Sequence, residues 1–433
     1  MTGEAVVSGR VAPGWEAVRE AFARGQADDP GAAQLAVHHH GRPVVDLASS
    51  GTGQAGTAYG TGQAGTAPYG TRQAGPTPYR TGQAGPAPYG TDSVGVLMSV
   101  TKGLVAVCAH LLSQRGMLDL DAPVARYWPE YAAAGKGATT VADLLTHRAG
   151  LPAFTCDASG VGLPGLLDRE SRVADLASMR PLWEPGSAFL YHALTYGHLV
   201  GEVIRRVVGV SVGAFFAAEV AGPLGLDLWI GLPKEAEDRF VPQFAVRPEP
   251  TQEQISGFLA GLGLSPADPL SLALRATAAE LAAATEALAT RQGRAAELPG
   301  AGGIGNARSL SRLYAALVGP VDGVRLLSPQ TVDRARASRN EHLAPPPPLD
   351  GGDGSDRSRF GLGFELPRPG LPMLGEGSFG HAGAGGRLGM ACPGSGLAVG
   401  YVCTAMSWEP AAGPDPRWTE WTAAVLASAA ARS

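Results

Sequence analysis

The spacing of apolar positions changes along this chain, and each change marks an element. Trp15, Val18 and Phe22 recur at helical spacing with Glu and Arg between them, which predicts a short amphipathic helix over Trp15–Arg24. Gln34–Leu47 holds two apolar runs around Gly41-Arg42 and reads as a β-hairpin. From Val96 the chain turns strongly apolar. Thr101–Arg115 predicts a mostly buried helix that Gly116 stops. Thr140 caps a short helix that closes at Gly150 and Pro152. Residues 155–300 carry mainly helical patterns, among them Tyr196–Val208, Val212–Val220 and an Ala/Leu-rich run over Leu272–Arg291. Asn306–Leu317 predicts one more helix. Past the prolines at Pro345–Pro348, the segments Phe360–Leu366, Arg387–Cys392 and Leu397–Thr404 alternate between glycines, as strands of an antiparallel sheet do. Trp418–Ala430 is again helical.

Strands near both ends with helices between them predict an α/β (α+β) fold: an antiparallel β-sheet flanked by helices, plus an inserted mainly helical domain. The expected divisions are 1–50 for the N-terminal helix and hairpin of the sheet domain, and 91–154 for the region of the apolar helix. The mainly helical domain takes 155–300, and 301–433 returns to the sheet domain. Residues 51–90 stand apart. They repeat TGQAGTAYG-like units from Thr52, Thr61, Thr71 and Thr81. With one tyrosine each to bury, such units cannot offset the entropy of ordering their backbone, so this insert is expected to be disordered.

Composition narrows the function. The formal charge is -5 with 45% apolar residues, which gives no footprint for nucleic acid or an anionic membrane. No apolar run has the length of a membrane span, and the first residues lack a charged-then-apolar leader, so a soluble, cytoplasmic protein is expected. The oligomeric state is left open. Cys108, Cys156, Cys392 and Cys403 are scattered and read as buried free thiols. His38, His39 and His40 are adjacent on a strand, where neighbours point to opposite faces, so they read as a solvated strand end and not as a metal site.

Lysine usage picks out the chemistry. Of 34 basic residues only Lys102, Lys136 and Lys234 are lysine. Arginine does not give up its proton in a protein, whereas a desolvated lysine does. Lys102 follows Ser99 by three residues, so on a helix the two share a face, with Ser99 in the first turn where the helix dipole favours negative charge. A serine with a base beside it is a candidate nucleophile. Two other segments are chemically suggestive. Tyr191 follows a turn and precedes the helix at Tyr196. The stretch Phe379-Gly-His381-Ala-Gly383-Ala384 is glycine-dense, which lets a backbone approach a substrate and aim N–H groups at it.

Together these segments resemble the serine β-lactamase and penicillin-binding-protein superfamily. They look most like the class C β-lactamase-like esterases, the family VIII carboxylesterases. Ser99-Val-Thr-Lys102 matches its Ser-x-x-Lys motif. Tyr191-His-Ala193 stands where the family has Tyr-x-Asn, and His381-Ala-Gly383 where it has Lys-Thr-Gly or His-x-Gly. The resemblance implies a β-lactamase/transpeptidase-like fold and a serine hydrolase that cleaves small-molecule esters through an acyl-enzyme, with no metal and no cofactor. It makes Ser99 the nucleophile, Lys102 the residue that helps take its proton, and Tyr191 the partner base or the acid for the leaving alkoxide. It gives His381 and Gly383 to substrate binding. The backbone N–H groups of Ser99 and Ala384 become the oxyanion hole. Ala193 in place of Asn and His381 in place of Lys argue against an efficient β-lactamase, and Arg387 is the candidate to replace part of the missing charge. Acyl transfer to a small-molecule acceptor, a weak β-lactamase or DD-peptidase, and a catalytically silent binding protein are the alternatives. Gly209-Val-Ser211-Val-Gly213 fits a G-x-S-x-G pattern, but Gly209 reads as a helix stop and Ser211 as the next N-cap.

Overall fold

The computed structural model describes residues 6–52, 89–248, 250–351, 356–408 and 413–432. Most of the repeat over 51–90 therefore lies outside the described residues. Eleven strands occur among them: β1 (Val7–Val11), β2 (Ala33–His39), β3 (Arg42–Ser49), β4 (Gly95–Val96), β5 (Leu228–Ile230), β6 (Phe244–Ala245), β7 (Gly303–Gly305), β8 (Phe379–Gly383), β9 (Arg387–Cys392), β10 (Leu397–Cys403) and β11 (Ala405–Met406). The main sheet has the order β1-β3-β2-β10-β9-β8, and every neighbouring pair is antiparallel. The fold is thus the mixed α/β arrangement expected, with strands from both ends of the chain zipped through β2 and β10.

Side-chain alternation assigns each face of this sheet to its own core. On β10, Leu397, Val399, Tyr401 and Cys403 join Trp15, Phe22, Trp418 and Trp421, from helices Glu16–Gly25 and Pro416–Ala430 and the turn before the first. Ala398 and Val402 face the other way, toward helix Ala307–Val318 and the large helical core. The second face is built of small residues because that helix lies close. A side chain on Gly400 would meet the Ala307 carbonyl oxygen at 2.3 Å, and one on Gly389 would meet the Tyr314 ring at 2.5 Å.

The helical expectations hold with small shifts. Helices run over Val100–Gln114, Val141–Leu145 with a Thr140–Asp143 capping box, Thr195–Val208, Ala307–Val318 with Asn306 as cap, and Pro416–Ala430. The long apolar run is helical over Pro269–Ala289, and Thr290 then caps a separate short helix.

Two expectations fail. Phe360–Leu366 is no strand; it makes only isolated bridges through Phe360 and Glu365. Gly363 takes a left-handed φ of 84° there, and a side chain on it would meet the Ala106 methyl at 2.5 Å, so the chain bends to pass over the apolar helix. Of the three histidines only His40 is exposed at the strand end as expected. His38 is buried with its Nδ1 2.9 Å from Ser311 Oγ, because helix Ala307–Val318 covers that face, and His39 is buried against the Trp15 ring. Among the described residues no cluster could hold a metal ion. Cys108, Cys392 and Cys403 are buried free thiols as expected, and Cys156 is half-buried. No single described helix is long and apolar enough to cross a membrane.

Candidate active site

Three chain segments meet at Ser99. The first is the turn that starts helix Val100–Gln114. Met98, just before the serine, holds a left-handed φ of 49°, an uncommon conformation for a side-chain-bearing residue and one that recurs at functional sites. Thr101 braces the turn. Its hydroxyl donates to the Met98 carbonyl and accepts the Gly303 N–H at 2.8 Å, while the Leu97 N–H reaches the Gly303 carbonyl at 2.8 Å. The second segment, 300–305, is thereby stitched under the serine.

Lys102 has no solvent exposure. Its Nζ lies 3.1 Å from Ser99 Oγ and donates to the Gly300 carbonyl at 2.7 Å. The Gly300 carbonyl is held in place by close packing: a side chain on Gly197 would meet the Gly300 nitrogen at 2.1 Å. Burial lowers the Lys102 pKa to about 7, with the Glu365 carboxylate pulling the other way.

Tyr191 is half-buried, with Ser99 close enough to draw its pKa down slightly, and has its ring centroid 4.9 Å from Lys102 Nζ. Burial, and then the Glu365 charge, hold its phenol well above the ordinary range, so it keeps its proton. His147 backs it, with ring centroids 4.6 Å apart. His147 also sits at a positive φ of 59°, and its Nδ1 accepts the His192 N–H at 3.0 Å. The neighbouring Arg148 pairs with Asp143 at 2.7 Å and supports this loop from behind.

The third segment is β8. Its His381 is 1% exposed, and burial with the nearby Lys102 pushes its pKa down to about 3. It is a neutral imidazole that bonds the Ala382 carbonyl through Nδ1 at 2.7 Å. Gly383 must be glycine, because a side chain there would meet the Leu97 carbonyl oxygen at 2.5 Å and Met98 at 3.3 Å. That contact brings β8 against the serine turn. β8 is an edge strand, and its outward N–H groups are taken in order: Gly380 donates to the Glu365 carbonyl at 3.1 Å and Ala382 to the Glu365 carboxylate at 2.6 Å. Two residues on, the Ala384 N–H has no hydrogen-bond partner among the described residues, and neither has the Ser99 N–H. Alternation along the strand points the Ala384 group to the same side as the other two.

The sequence-selected residues Ser99, Lys102, Tyr191, His381, Gly383 and Ala384 are thus brought together. Arg387 is not available to substrate. It is fully buried and turned into backbone carbonyls, for a reason taken up below. Ser211 caps helix Val212–Phe216 and Gly209 ends helix Thr195–Val208 in a left-handed conformation, so the G-x-S-x-G match is helix punctuation. Glu365 was missed. It lies 3.5 Å from His381, is 15% exposed, and is raised to about 7 chiefly by burial. Its segment carried only a strand-like alternation, which gave no reason to single out one carboxylate.

An unpaired backbone N–H pair, a buried lysine against a serine and a tyrosine beside both are a combination of groups that can support acyl transfer at a serine. The chain belongs to the beta-lactamase family, whose match spans residues 18–420, and it is a serine hydrolase of the β-lactamase fold. It is 32% identical over 329 residues to the esterase/beta-lactamase LipL of Mycobacterium tuberculosis (strain ATCC 25618 / H37Rv), covering 72% of this chain and 69% of that protein. Among solved structures it superimposes on EstA from Arthrobacter nitroguajacolicus Rue61a with a TM-score of 0.74 at 29% identity, covering 98% of each chain. A family VIII carboxylesterase gives a TM-score of 0.72 at 31% identity, with 98% of this chain and 100% of that one covered.

Proposed function

We propose that this protein cleaves small-molecule carboxylic esters through a covalent acyl-enzyme on Ser99. One observation carries the reading: Lys102 Nζ is buried between Ser99 Oγ at 3.1 Å and the Gly300 carbonyl at 2.7 Å. A neutral amine there has one N–H for Gly300 and a lone pair for the serine hydroxyl. With its pKa lowered to about 7, Lys102 is neutral in a large fraction of molecules at neutral pH, while Tyr191 stays protonated. This favours Lys102 as the base and Tyr191 as the acid.

In the forward step Lys102 takes the Ser99 proton as Oγ bonds to the ester carbonyl carbon. The carbonyl oxygen becomes an oxyanion, held by the N–H groups of Ser99 and Ala384. The carbon–alkoxide bond then breaks, Tyr191 protonates the departing alkoxide, and the Lys102 ammonium returns a proton to Tyr191. Water then attacks the acyl carbon as Tyr191 hands its proton to Lys102 and takes one from the water; the acyl–Oγ bond breaks, and the Lys102 ammonium returns the proton to Ser99 Oγ as the acid leaves.

The surroundings favour an uncharged acyl ester. His381 is neutral, Ala193 offers a methyl where a side-chain amide would hold an amide substrate, and Arg387 is out of reach. The words esterase in the name of LipL and carboxylesterase in that of the family VIII structure support the same substrate class. The test is turnover of p-nitrophenyl butyrate and labelling by a fluorophosphonate. Both are expected in the wild type and absent in Ser99→Ala, and full turnover by that variant would overturn the reading.

A further inference from the structure

The turn between β8 and β9 has almost no unspent hydrogen-bonding capacity. The Ala384 carbonyl accepts from Arg387 Nη1 at 2.8 Å, the Gly385 carbonyl from Arg417 Nη2 at 2.6 Å, and the Gly386 carbonyl from Trp418 Nε1 at 3.0 Å. The Gly385 N–H goes to the Trp408 carbonyl and the Gly386 N–H to the Gly383 carbonyl, each at 3.0 Å. Through residues 384–386 only the N–H of half-buried Ala384 is left without a partner among the described residues.

Arg387 makes more than this one contact. Its Nε donates to the Val96 carbonyl at 3.1 Å, three residues before Ser99, and its Nη2 to Gln243 Oε1 at 2.8 Å. Gln243 in turn reaches the Met98 sulfur at 3.6 Å. One planar guanidinium therefore ties the backbone leading to Ser99 to the backbone carrying Ala384. It does so with no exposure to solvent and no carboxylate pairing with it among the described residues, whereas its neighbour Arg417 is neutralised by Asp29 and Asp415. A buried cation is costly unless paired, and here its partners are neutral oxygens. The arrangement has a use if negative charge develops nearby during the reaction.

We infer that Arg387 is a positioning residue of the oxyanion hole: it fixes the Ser99 and Ala384 N–H groups relative to each other and places a fixed positive charge behind them. The inference rests on the proposed roles of those two groups. It separates binding from chemistry, because a group complementary to the oxyanion acts on the transition state and not on the neutral ester.

The experiment compares Arg387→Gln, Arg387→Lys and the milder Gln243→Ala with the wild type and with Ser99→Ala. It reads kcat and KM for p-nitrophenyl butyrate, the inhibition constant of butylboronic acid as a tetrahedral mimic, and the thermal midpoint. Arg387→Gln is expected to lower kcat on the order of 10²-fold with KM nearly unmoved, and to weaken the boronate by a similar factor. Arg387→Lys restores charge without the fork and is expected to recover roughly a tenth of the wild-type kcat. Gln243→Ala, which leaves the guanidinium in place, is expected to cost about fivefold in kcat alone. A folded Arg387→Gln with wild-type kcat and boronate affinity overturns the inference, as does a loss confined to KM. If Arg387→Gln does not fold, a wild-type kcat in Gln243→Ala overturns it instead. Turnover by Ser99→Ala defeats the acyl-enzyme reading itself, whereas an inactive Ser99→Ala beside an unaffected Arg387→Gln defeats only the inference.

Discussion

Lys102 and Lys136 are both fully buried, and both are held by backbone carbonyls, yet they do different work. Lys136 follows the turns at 129–135, and its Nζ donates to the carbonyls of Ala133 at 2.9 Å, Ala177 at 3.0 Å and Met179. All three N–H groups of an ammonium are used, so this site asks for a protonated lysine and clips two loops together. Lys102 has only Gly300 as a carbonyl acceptor, and its other close partner, Ser99 Oγ, carries a proton of its own. Burial lowers both, to about 8 for Lys136 and about 7 for Lys102. Burial alone therefore does not make a base. The difference lies in whether the acceptors saturate the ammonium or leave a place for a lone pair. Of the three lysines Lys234 is exposed, and the two buried ones differ in how their ammonium groups are satisfied.

The sharpest break of this comparison is a matched pair of substitutions. Lys102→Met is expected to lower kcat/KM by on the order of 10³-fold or more while the protein stays folded. Lys136→Met is expected to leave turnover unchanged and to lower the thermal midpoint, since each buried carbonyl deprived of its donor costs about 1–3 kcal/mol. Loss of activity in a folded Lys136→Met would erase the distinction. Next in size, Tyr191→Phe keeps the ring against His147 but removes the proton donor, and a drop of roughly 10²-fold in kcat is expected.

The pH profile sharpens the comparison further. Below about 7 Lys102 is an ammonium and cannot accept the Ser99 proton, so kcat/KM is expected to rise with pH along an acid limb centred near 7. Lys136, titrating near 8, is expected to leave that profile untouched. The Glu365 carboxylate favours the charged lysine, so Glu365→Gln, which keeps an oxygen for the Ala382 N–H, is expected to move the limb to lower pH. A limb that stays in place would mean that Glu365 does not sense Lys102. The smallest effect is expected at Ser211: Ser211→Ala removes a helix cap worth about 1 kcal/mol and leaves turnover at the wild-type rate.

What the sequence disclosed depends on how local each signal is. Ser99 and Lys102 sit one helical turn apart, and the Thr140 cap lies beside the helix it starts, so a reader of the chain finds them. The β8 glycines were visible as a run, but the reason for Gly383 was not, since the Leu97 carbonyl that excludes a side chain is nearly three hundred residues away. Glu365 and Arg387 were hidden for the same cause. Their importance comes from neighbours that only the packed sheet supplies, and Arg387 was assigned to substrate when the fold turns it inward. The histidines at 38 and 39 were misplaced because a helix from residue 307 onward covers a face that their strand alone leaves open.

The β2–β10 pairing sets a condition on how the molecule is made. One edge of residues 33–39 pairs with 42–49, but the other finds its partner only at 397–403, so no fragment that stops before residue 403 closes the main sheet. Until then the hairpin of β2 and β3 has a bare edge, and the β8 turn lacks the Arg417 and Trp418 donors that hold it. Contacts so distant in sequence slow folding, because loop closure must precede their reward. Helix Val100–Gln114 can form early, yet the site proposed around Ser99 stays incomplete until nearly the whole chain has folded.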